Sequence, residues 1–500
     1  MSITGPGSIT AANLTAQTNM FNQLSTLSQE LGTGQASQTY AGLGSQAGLA
    51  LSLGSQLSAL GAYSTTATTV GTTLTLAQSV LTQLGDAGTS VQQAVNQQNA
   101  FSLDNNGQTA TQQSAASYLD QILSLLNTQA GDNYMFSGSA LNQPSVASTS
   151  DILNGSGAQA GLTQVISERL QADEGTGSLG RLTIGGTAPS VTLSSDGSPF
   201  GFKLASVNSN LTGATVSGSP PSISVALGSN PNSGDTIAFG LTLPDGSSQT
   251  LTLQATTASS PAAGQFTIGA SANATATNLQ AALTSAVSNL AQTALPAASA
   301  IAAANNFFSS DPPQRVDPGS PANFATATSL QNGTTANTVF WYTGENGSTP
   351  ALQSATAQVG PTMTIAYGMR ANEQAISTLV ANVAVLAATT YSASDPNAQT
   401  SYQALSQSVA ANLDGAPGTQ TITDIEANLA NAQTTVANAT TLNTQTQNTV
   451  QNMLQGIEGV DQNKIGEDIL SCRNNLSASM SVTARLAQLS LVNYLSASAG

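Results

Sequence analysis

A chain of 500 residues without a single histidine lacks the commonest general base and the commonest zinc ligand. Ser-His-Asp and Cys-His nucleophile systems are excluded with it. The remaining candidates for chemistry are few: Cys472, the acid pairs Asp173/Glu174, Asp424/Glu426 and Glu467/Asp468, and the lone Trp341 in Phe340-Trp341-Tyr342. Cys472 falls on the apolar stripe of a C-terminal helix, where a small core residue is expected; a reactive thiol needs an electropositive, exposed setting. The acid pairs fit helix starts or solvated faces. The loops at Asp311 and Asp317 lack EF-hand ligand spacing, and Gly42-Leu43-Gly44 has no strand–helix context for nucleotide binding. Trp341 is expected to anchor a core or an interface. No catalytic, cofactor-binding or metal constellation emerges, so the chain is expected not to be an enzyme and to carry no cofactor.

The pattern that stands out lies at the two ends. Leu14, Phe21, Leu24, Leu27 and Leu31 recur at steps of three, four or seven near the start. Ile465, Ile469, Cys472, Leu476, Met480, Thr483, Leu486 and Leu489 follow at three or four near the finish. Each stripe is too thin to be a core by itself. Two such helices bury their stripes against each other or against copies of themselves. Leu14, Phe21, Leu24, Leu27, Leu31, Ile465, Ile469, Leu476, Leu486 and Leu489 are therefore the expected assembly interface.

Composition narrows the partners. Charged residues are 6% of the chain, against roughly 25% in ordinary soluble domains. The eight Lys and Arg face 24 Asp and Glu, a net charge of −16, and none precedes Arg169. So little positive charge leaves phosphates unneutralised and anionic membrane surfaces unattractive, which excludes nucleic acid and membrane partners. The longest apolar runs, such as Val380 to Thr389, are too short to span a bilayer. The first residues carry neither the basic n-region nor the apolar h-region of a cleavable secretory signal. One Cys and near-absence of Lys in a chain rich in Ser, Thr, Gly and Asn point to an extracellular setting reached by a dedicated export route.

Elements follow from periodicity. Helices are expected over about Ala11–Leu31, ended by Gly32 and Gly34, over Gly48–Asn99, and over Thr109–Gln129. The Thr-rich Thr65–Thr73 weakens the second, so packing must stabilise it. From about Gly180 to Thr256 the period is two, with strands around Leu182–Ile184, Val191–Leu193, Ile223–Val225 and Ile237–Phe239. The clearest hairpin runs from Leu241 through Asp245-Gly246 to Leu253. A helix over Ala274–Leu290 follows, then a linker at Asp311-Pro312-Pro313 and Asp317-Pro318. A strand pair is expected at Thr338–Thr343 and Met363–Tyr367. Helices are expected at Ala371–Leu386, Ser401–Leu413, from Ile422 to about Ile457, and Asp461–Ser496. The expected fold class is α+β: a long helical coiled coil or bundle built from the N- and C-terminal segments, with a β-rich inserted outer domain.

Several segments resemble one family. Leu27-Ser28-Gln29-Glu30-Leu31-Gly32-Thr33-Gly34 followed by Gln46-Ala47-Gly48-Leu49-Ala50-Leu51 is similar to the N-terminal signature of bacterial flagellins. Leu486 to Leu495 resembles their C-terminal helix. Asn133-Tyr134-Met135-Phe136-Ser137-Gly138 resembles a segment of the hook–filament junction proteins of that family. Val339 to Glu345 and Tyr367 to Glu373 are similar to flagellin-like proteins of alphaproteobacteria. The likeness covers roughly residues 1–170 and 330–500, and the order of the motifs carries it. It implies an N-terminal inner-core helix in 1–45, the N-terminal half of a helical bundle domain in 46–170, and a β-rich variable outer domain in 171–320. Return strands and the C-terminal half of the bundle would fill 321–460, and a C-terminal inner-core helix 461–500. The stretch Leu76–Asn96, which would match the innate-receptor-binding helix, has no Arg.

The resemblance implies a structural subunit of the bacterial flagellar filament, exported uncleaved and self-assembling through its terminal helices into a helical tube for motility. Its partners would be copies of itself, hook-associated and cap proteins, and the flagellar export apparatus with its chaperone. A hook–filament junction protein of the same family is the alternative. A secreted adhesin is more remote, since it would need β-repeats or an anchor. Incomplete stripes that fold as neighbours arrive, and head-to-tail contacts that do not close, are the physical requirements of such a filament.

Overall fold

The computed structural model describes residues 6–97 and 101–497, with side chains over 11–97 and 101–489. It is a mixed helical and β protein that divides into two compact units. The first unit gathers residues 1–70, 357–365 and 435–500; the second holds 71–356 and 366–434.

In the first unit, α1 (Pro6–Thr33) packs along α10 (Gln462–Ala497). Gly34 ends α1 with φ +71, a conformation a side chain would strain. A 3-10 turn (Tyr40–Gln46) leads into the 50-residue α2 (Ala47–Asn96), which continues into the second unit. Asn99, where the sequence placed this helix's end, lies outside the described residues. Leu53 and Leu60 of α2 are buried with Val450 of α9 (Ile422–Glu458), with Leu57, Tyr63, Leu454 and Ile457 beside them. The Thr-rich stretch stays helical with Ala67, Val70 and Leu74 buried, and its outward hydroxyls donate to carbonyls four residues back, as Thr65 does to Gly61 (3.1 Å) and Thr66 to Ala62 (3.0 Å). Asn443 of α9, 3% exposed, donates to the Val359 carbonyl at 2.8 Å. That tethers a short turn closed by the Val359 N–H on the Met363 carbonyl.

The second unit is organised around α7 (Gln374–Ala388), of whose 15 residues 13 are buried. A helix apolar all round belongs inside a bundle. It is packed by α3 (Ala110–Leu126), α6 (Ala272–Phe308) and α8 (Ala398–Asp414), with α4 (Thr149–Asn154) and α5 (Leu162–Glu174) nearby. One side chain joins two helix ends. The Gln112 amide oxygen accepts from the Thr109 N–H at 3.0 Å, completing a capping box on α3. Its amide nitrogen donates to the Leu386 and Thr389 carbonyls at the end of α7 (3.2 and 2.7 Å). A short pair, β1 (Gln129–Ala130) and β2 (Asn133–Tyr134), follows α3.

Two four-stranded sheets then share one core. The first orders β3 (Leu182–Gly185), β4 (Ser190–Ser195), β7 (Ser222–Leu227) and β6 (Ala214–Ser219). The second orders β10 (Gln265–Thr267), β9 (Ser248–Thr256), β8 (Thr236–Thr242) and β5 (Lys203–Ser209). Alternate residues point inward: Val191, Leu193, Ile223, Val225, Ile237, Phe239, Leu253 and Phe266 meet Leu279, Leu283 and Val287 of α6. The Asp245-Gly246 turn joins β8 to β9, with Gly246 at φ +85.

Helix α6 does not stop near Leu290, as its pattern indicates, but runs through Pro296 to Phe308. Proline cannot donate to the carbonyl four residues back, here Gln292. The Ser401 hydroxyl of α8 takes that carbonyl at 3.0 Å, and Asn397 donates to the Gln292 side chain at 3.0 Å. The expected strand pair at Thr338–Thr343 and Met363–Tyr367 does not form. Thr338 and Tyr342 make isolated bridges with Ala160 and Val146 instead. The strand at 363–367 becomes β14 (Thr364–Ala366), whose partner is β13 (Thr356–Gln358). A further pair, β11 (Gln314–Val316) with β12 (Leu330–Asn332), lies between α6 and the return segment.

Candidate assembly surface

The terminal helices bring the two stripes together, with an offset. On α10, Ile465, Ile469, Cys472, Leu476, Ser479, Thr483 and Leu486 are buried or half-buried, at alternating steps of four and three. The mean step is 3.5 residues. On α1 the residues turned inward are Asn13, Gln17, Met20, Leu24 and Leu27. The seam is partly polar. Gln17 donates to the hydroxyls of Thr483 (2.8 Å) and Ser479 (3.4 Å), and the Cys472 thiol donates to the Met20 carbonyl at 3.4 Å. At the other end, the Ala36 N–H donates to the Glu458 carbonyl (2.7 Å) and the Val460 N–H to the Gly34 carbonyl (3.2 Å).

The predicted interface residues thus separate into two sets. Leu24, Leu27, Ile465, Ile469, Leu476 and Leu486 lie between the helices. Leu14 (63% exposed), Phe21 (49%), Leu31 (38%) and Leu489 (61%) point away from the pair. Leu470, Met480 and Val482 of α10 are also exposed. Hydrophobicity alone could not separate the sets, because two inward positions of α1, Asn13 and Gln17, are amides. Lys464, Arg473 and Arg485 are exposed, and none makes an ion pair among the described residues.

In the second unit, three of the motif segments meet. Ser137 bridges Arg370; the Gly138 N–H donates to the Met369 carbonyl (3.1 Å) and the Ala371 N–H to the Phe136 carbonyl (2.8 Å). The Glu345 N–H donates to the Ser137 carbonyl at 2.9 Å. Arg370, 5% exposed, pairs with Glu345 at 2.9 Å and donates to the Gly347 and Thr349 carbonyls, both at 2.9 Å. Gly138 sits at φ +65, and a Cβ there would meet a Glu345 oxygen at 2.8 Å. Segments 133–138, 339–345 and 367–373 therefore form one knot that ties the outgoing chain to the returning one. The Ser139 N–H holds the Glu345 carboxyl below the usual range, with Arg370 adding to it. Burial pushes Glu373 up, opposed by hydrogen bonds from Gln420 and the Arg370 N–H.

Several of the other candidates for chemistry have structural partners, and Glu467 and Asp468 are exposed on α10. Trp341 is 2% exposed and donates its indole N–H to the Phe308 carbonyl at 2.9 Å. Asp173 is buried, pairs with Arg169 at 2.8 Å and accepts from the Gly201 N–H at 2.8 Å; burial pushes its carboxyl up against those partners. Asp424 accepts from the Thr421 N–H at 2.8 Å at the start of α9, which lowers its carboxyl. Glu168 receives a two-pronged contact from Arg315. The guanidinium groups of Arg169 (5.2 Å) and Arg181 (5.3 Å) both lie over the Phe200 ring. Among the described residues, no group of three or more His, Cys, Asp and Glu could hold a metal ion, and no helix is long and apolar enough to cross a membrane.

By class, this is a mixed helical and β protein whose first and last long helices pack on each other. No protein-family model matches the chain, and no curated protein matches it.

Proposed function

We propose that this chain is a structural subunit of the bacterial flagellar filament, a secreted, extracellular protein that self-assembles through its terminal helices. In this reading α1 and α10 form a coiled coil, and the β-rich block is an inserted outer domain. The observation that carries it is the division of the terminal stripes. One set holds the pair together, and the other leaves Leu14, Phe21 and Leu489 in water. Large apolar side chains exposed along two helices of one pair mark a surface that another chain covers. The junction-protein reading shares this surface and differs in whether assembly elongates.

Phe21→Asp and Leu489→Asp test the reading. Each sits outside the α1–α10 seam, so the folded chain is expected to survive with unchanged helical content. Assembly is expected to fail, because an unpaired carboxylate would have to be buried at the contact between copies. The measurement is sedimentation after seeding with filament fragments. Pelleting of wild type and of neither variant supports the proposal, and failure of the wild-type chain to elongate from seeds overturns the filament reading. Electron microscopy of the protein in place separates a continuous filament from a short band at the hook.

A further inference from the structure

Glycine after asparagine leaves its backbone nitrogen unhindered for attack on the asparagine side chain, because there is no β-carbon in the way. Four such pairs occur in this chain: Asn106-Gly107, Asn154-Gly155, Asn332-Gly333 and Asn346-Gly347. All four asparagines are exposed, so water reaches each of them.

The pairs differ in what holds the glycine nitrogen. The Gly107 N–H donates to the Asp104 carbonyl (3.2 Å), the Gly155 N–H to the Asp151 carbonyl (2.9 Å) and the Gly333 N–H to the Pro313 carbonyl (2.7 Å). The Gly347 N–H donates to no acceptor among the described residues. Gly347 is also fully exposed, whereas Gly333 is buried and Gly107 and Gly155 are half-buried. A bonded amide nitrogen can neither give up its proton nor turn toward the neighbouring side chain until that bond opens. The asparagine side chains do not make the same distinction. Asn346 donates its amide to Asp311 at 3.1 Å, and Asn106 is tied to Asp104 in the same way at 3.3 Å.

We propose that Asn346 is a self-modifying site, at which the folded chain converts a side-chain amide to a carboxylate ahead of the other three pairs. The Gly347 nitrogen loses its proton to solvent and bonds to Asn346 Cγ. The bond from Cγ to the side-chain nitrogen breaks, and that nitrogen takes up a proton and leaves as ammonia. A succinimide ring remains. Water opens the ring at either carbonyl, giving aspartate or isoaspartate. Water is the co-reactant, and nothing is oxidised or reduced.

The position gives the change a consequence. Asn346 stands between two groups that Arg370 holds, the Glu345 carboxylate and the Gly347 carbonyl, both at 2.9 Å. Isoaspartate lengthens the backbone between them by a carbon atom. Either product replaces the amide that donates to Asp311 with a second carboxylate, which Asp311 repels. The modification thus loosens, from its solvent side, the knot that ties the outgoing chain to the returning one.

Peptide mapping by mass spectrometry during incubation at neutral pH tests it, with the folded chain and the chain in urea run side by side. Urea opens the hydrogen bonds and gives each pair its intrinsic rate. Relative to that rate, Asn346 in the folded chain is expected to react at least about fivefold faster than Asn106, Asn154 or Asn332, the factor that one net hydrogen bond supplies. Isoelectric focusing follows the same event: the earliest more acidic band of the wild-type chain is expected to be missing from Asn346→Gln, whose longer side chain closes the corresponding ring slowly. A smaller ratio to any of the three bonded pairs, or an early acidic band that persists in Asn346→Gln, overturns the proposal.

Discussion

The two units of this chain handle charge in opposite ways. The first carries five acidic and three basic residues, a net charge of −2; the second carries nineteen and five, or −14. In the second unit each of the five cations is in an ion pair. In the first, the three cations all lie on α10 and are exposed. Near-neutral helices can approach copies of themselves without long-range repulsion, while a strongly negative unit keeps the chain dispersed. The unit with the weaker internal core is thus the one whose surface suits association.

The largest expected effect that separates the two regions is at Arg370. Arg370→Met leaves Glu345 without its cation and the Gly347 and Thr349 carbonyls without their donor. The cost is about 3 kcal/mol, from the two carbonyls that lose a charged, buried donor; the accessible Glu345 carboxylate is taken up by water. Gln17→Ala, which removes the polar contact inside the terminal pair, is expected to cost less than about 1 kcal/mol, since Ser479 and Thr483 can turn to water. Urea unfolding followed by circular dichroism reads both. Equal losses would end the distinction between a densely bonded unit and a loosely closed one.

A smaller effect sharpens the same point inside α6. Ser401→Ala leaves the part-buried Gln292 carbonyl without its donor and is expected to cost about 1 kcal/mol. In a Pro296→Ala background the restored N–H reaches that carbonyl, and the Ser401→Ala cost should fall to near zero. A double-mutant cycle by thermal unfolding isolates the coupling. Additive losses would mean that Ser401 stabilises α6 for some reason other than the missing proline donor.

How much of this was legible depended on the range of the partner. The buried stripe of α2, from Leu53 to Val95, and the Asp245-Gly246 hairpin are local patterns, and the structure has both. Thr338–Thr343 looked like a strand because it is a run of β-branched and aromatic residues. Its partners, Val146 and Ala160, lie nearly two hundred residues earlier, and local periodicity carries no trace of them. Helix α5 has no counterpart among the expected elements: Glu168, Arg169 and Asp173 interrupt its apolar pattern, and all three are buried through pairing. At the terminal surface, the apolar residues on α1 and α10 were readable from spacing. Which of them turn inward was not, since the inward row of α1 includes Gln17, whose partners stand more than 460 residues away.

The mildest way to probe the contrast is with pH, through Glu373. Burial raises its carboxyl above the ordinary 4.5 in the folded chain. The native state then holds this proton more tightly than the unfolded state does. For this group, stability is greatest at low pH and is lost as pH rises through the folded value. Glu373→Gln removes the titration, so the melting temperature of wild type relative to Glu373→Gln should climb as pH falls from 7 toward 4.5. Measurement stays above 4.5 because Glu345, held low by the Ser139 N–H and Arg370, acts in the opposite direction only below that value. No such trend is expected for assembly through the first unit, whose helices bring no carboxylate into the seam beyond the half-buried Glu30 at its end. A pH-independent gap between wild type and Glu373→Gln would show that Glu373 is charged and fully compensated in the knot.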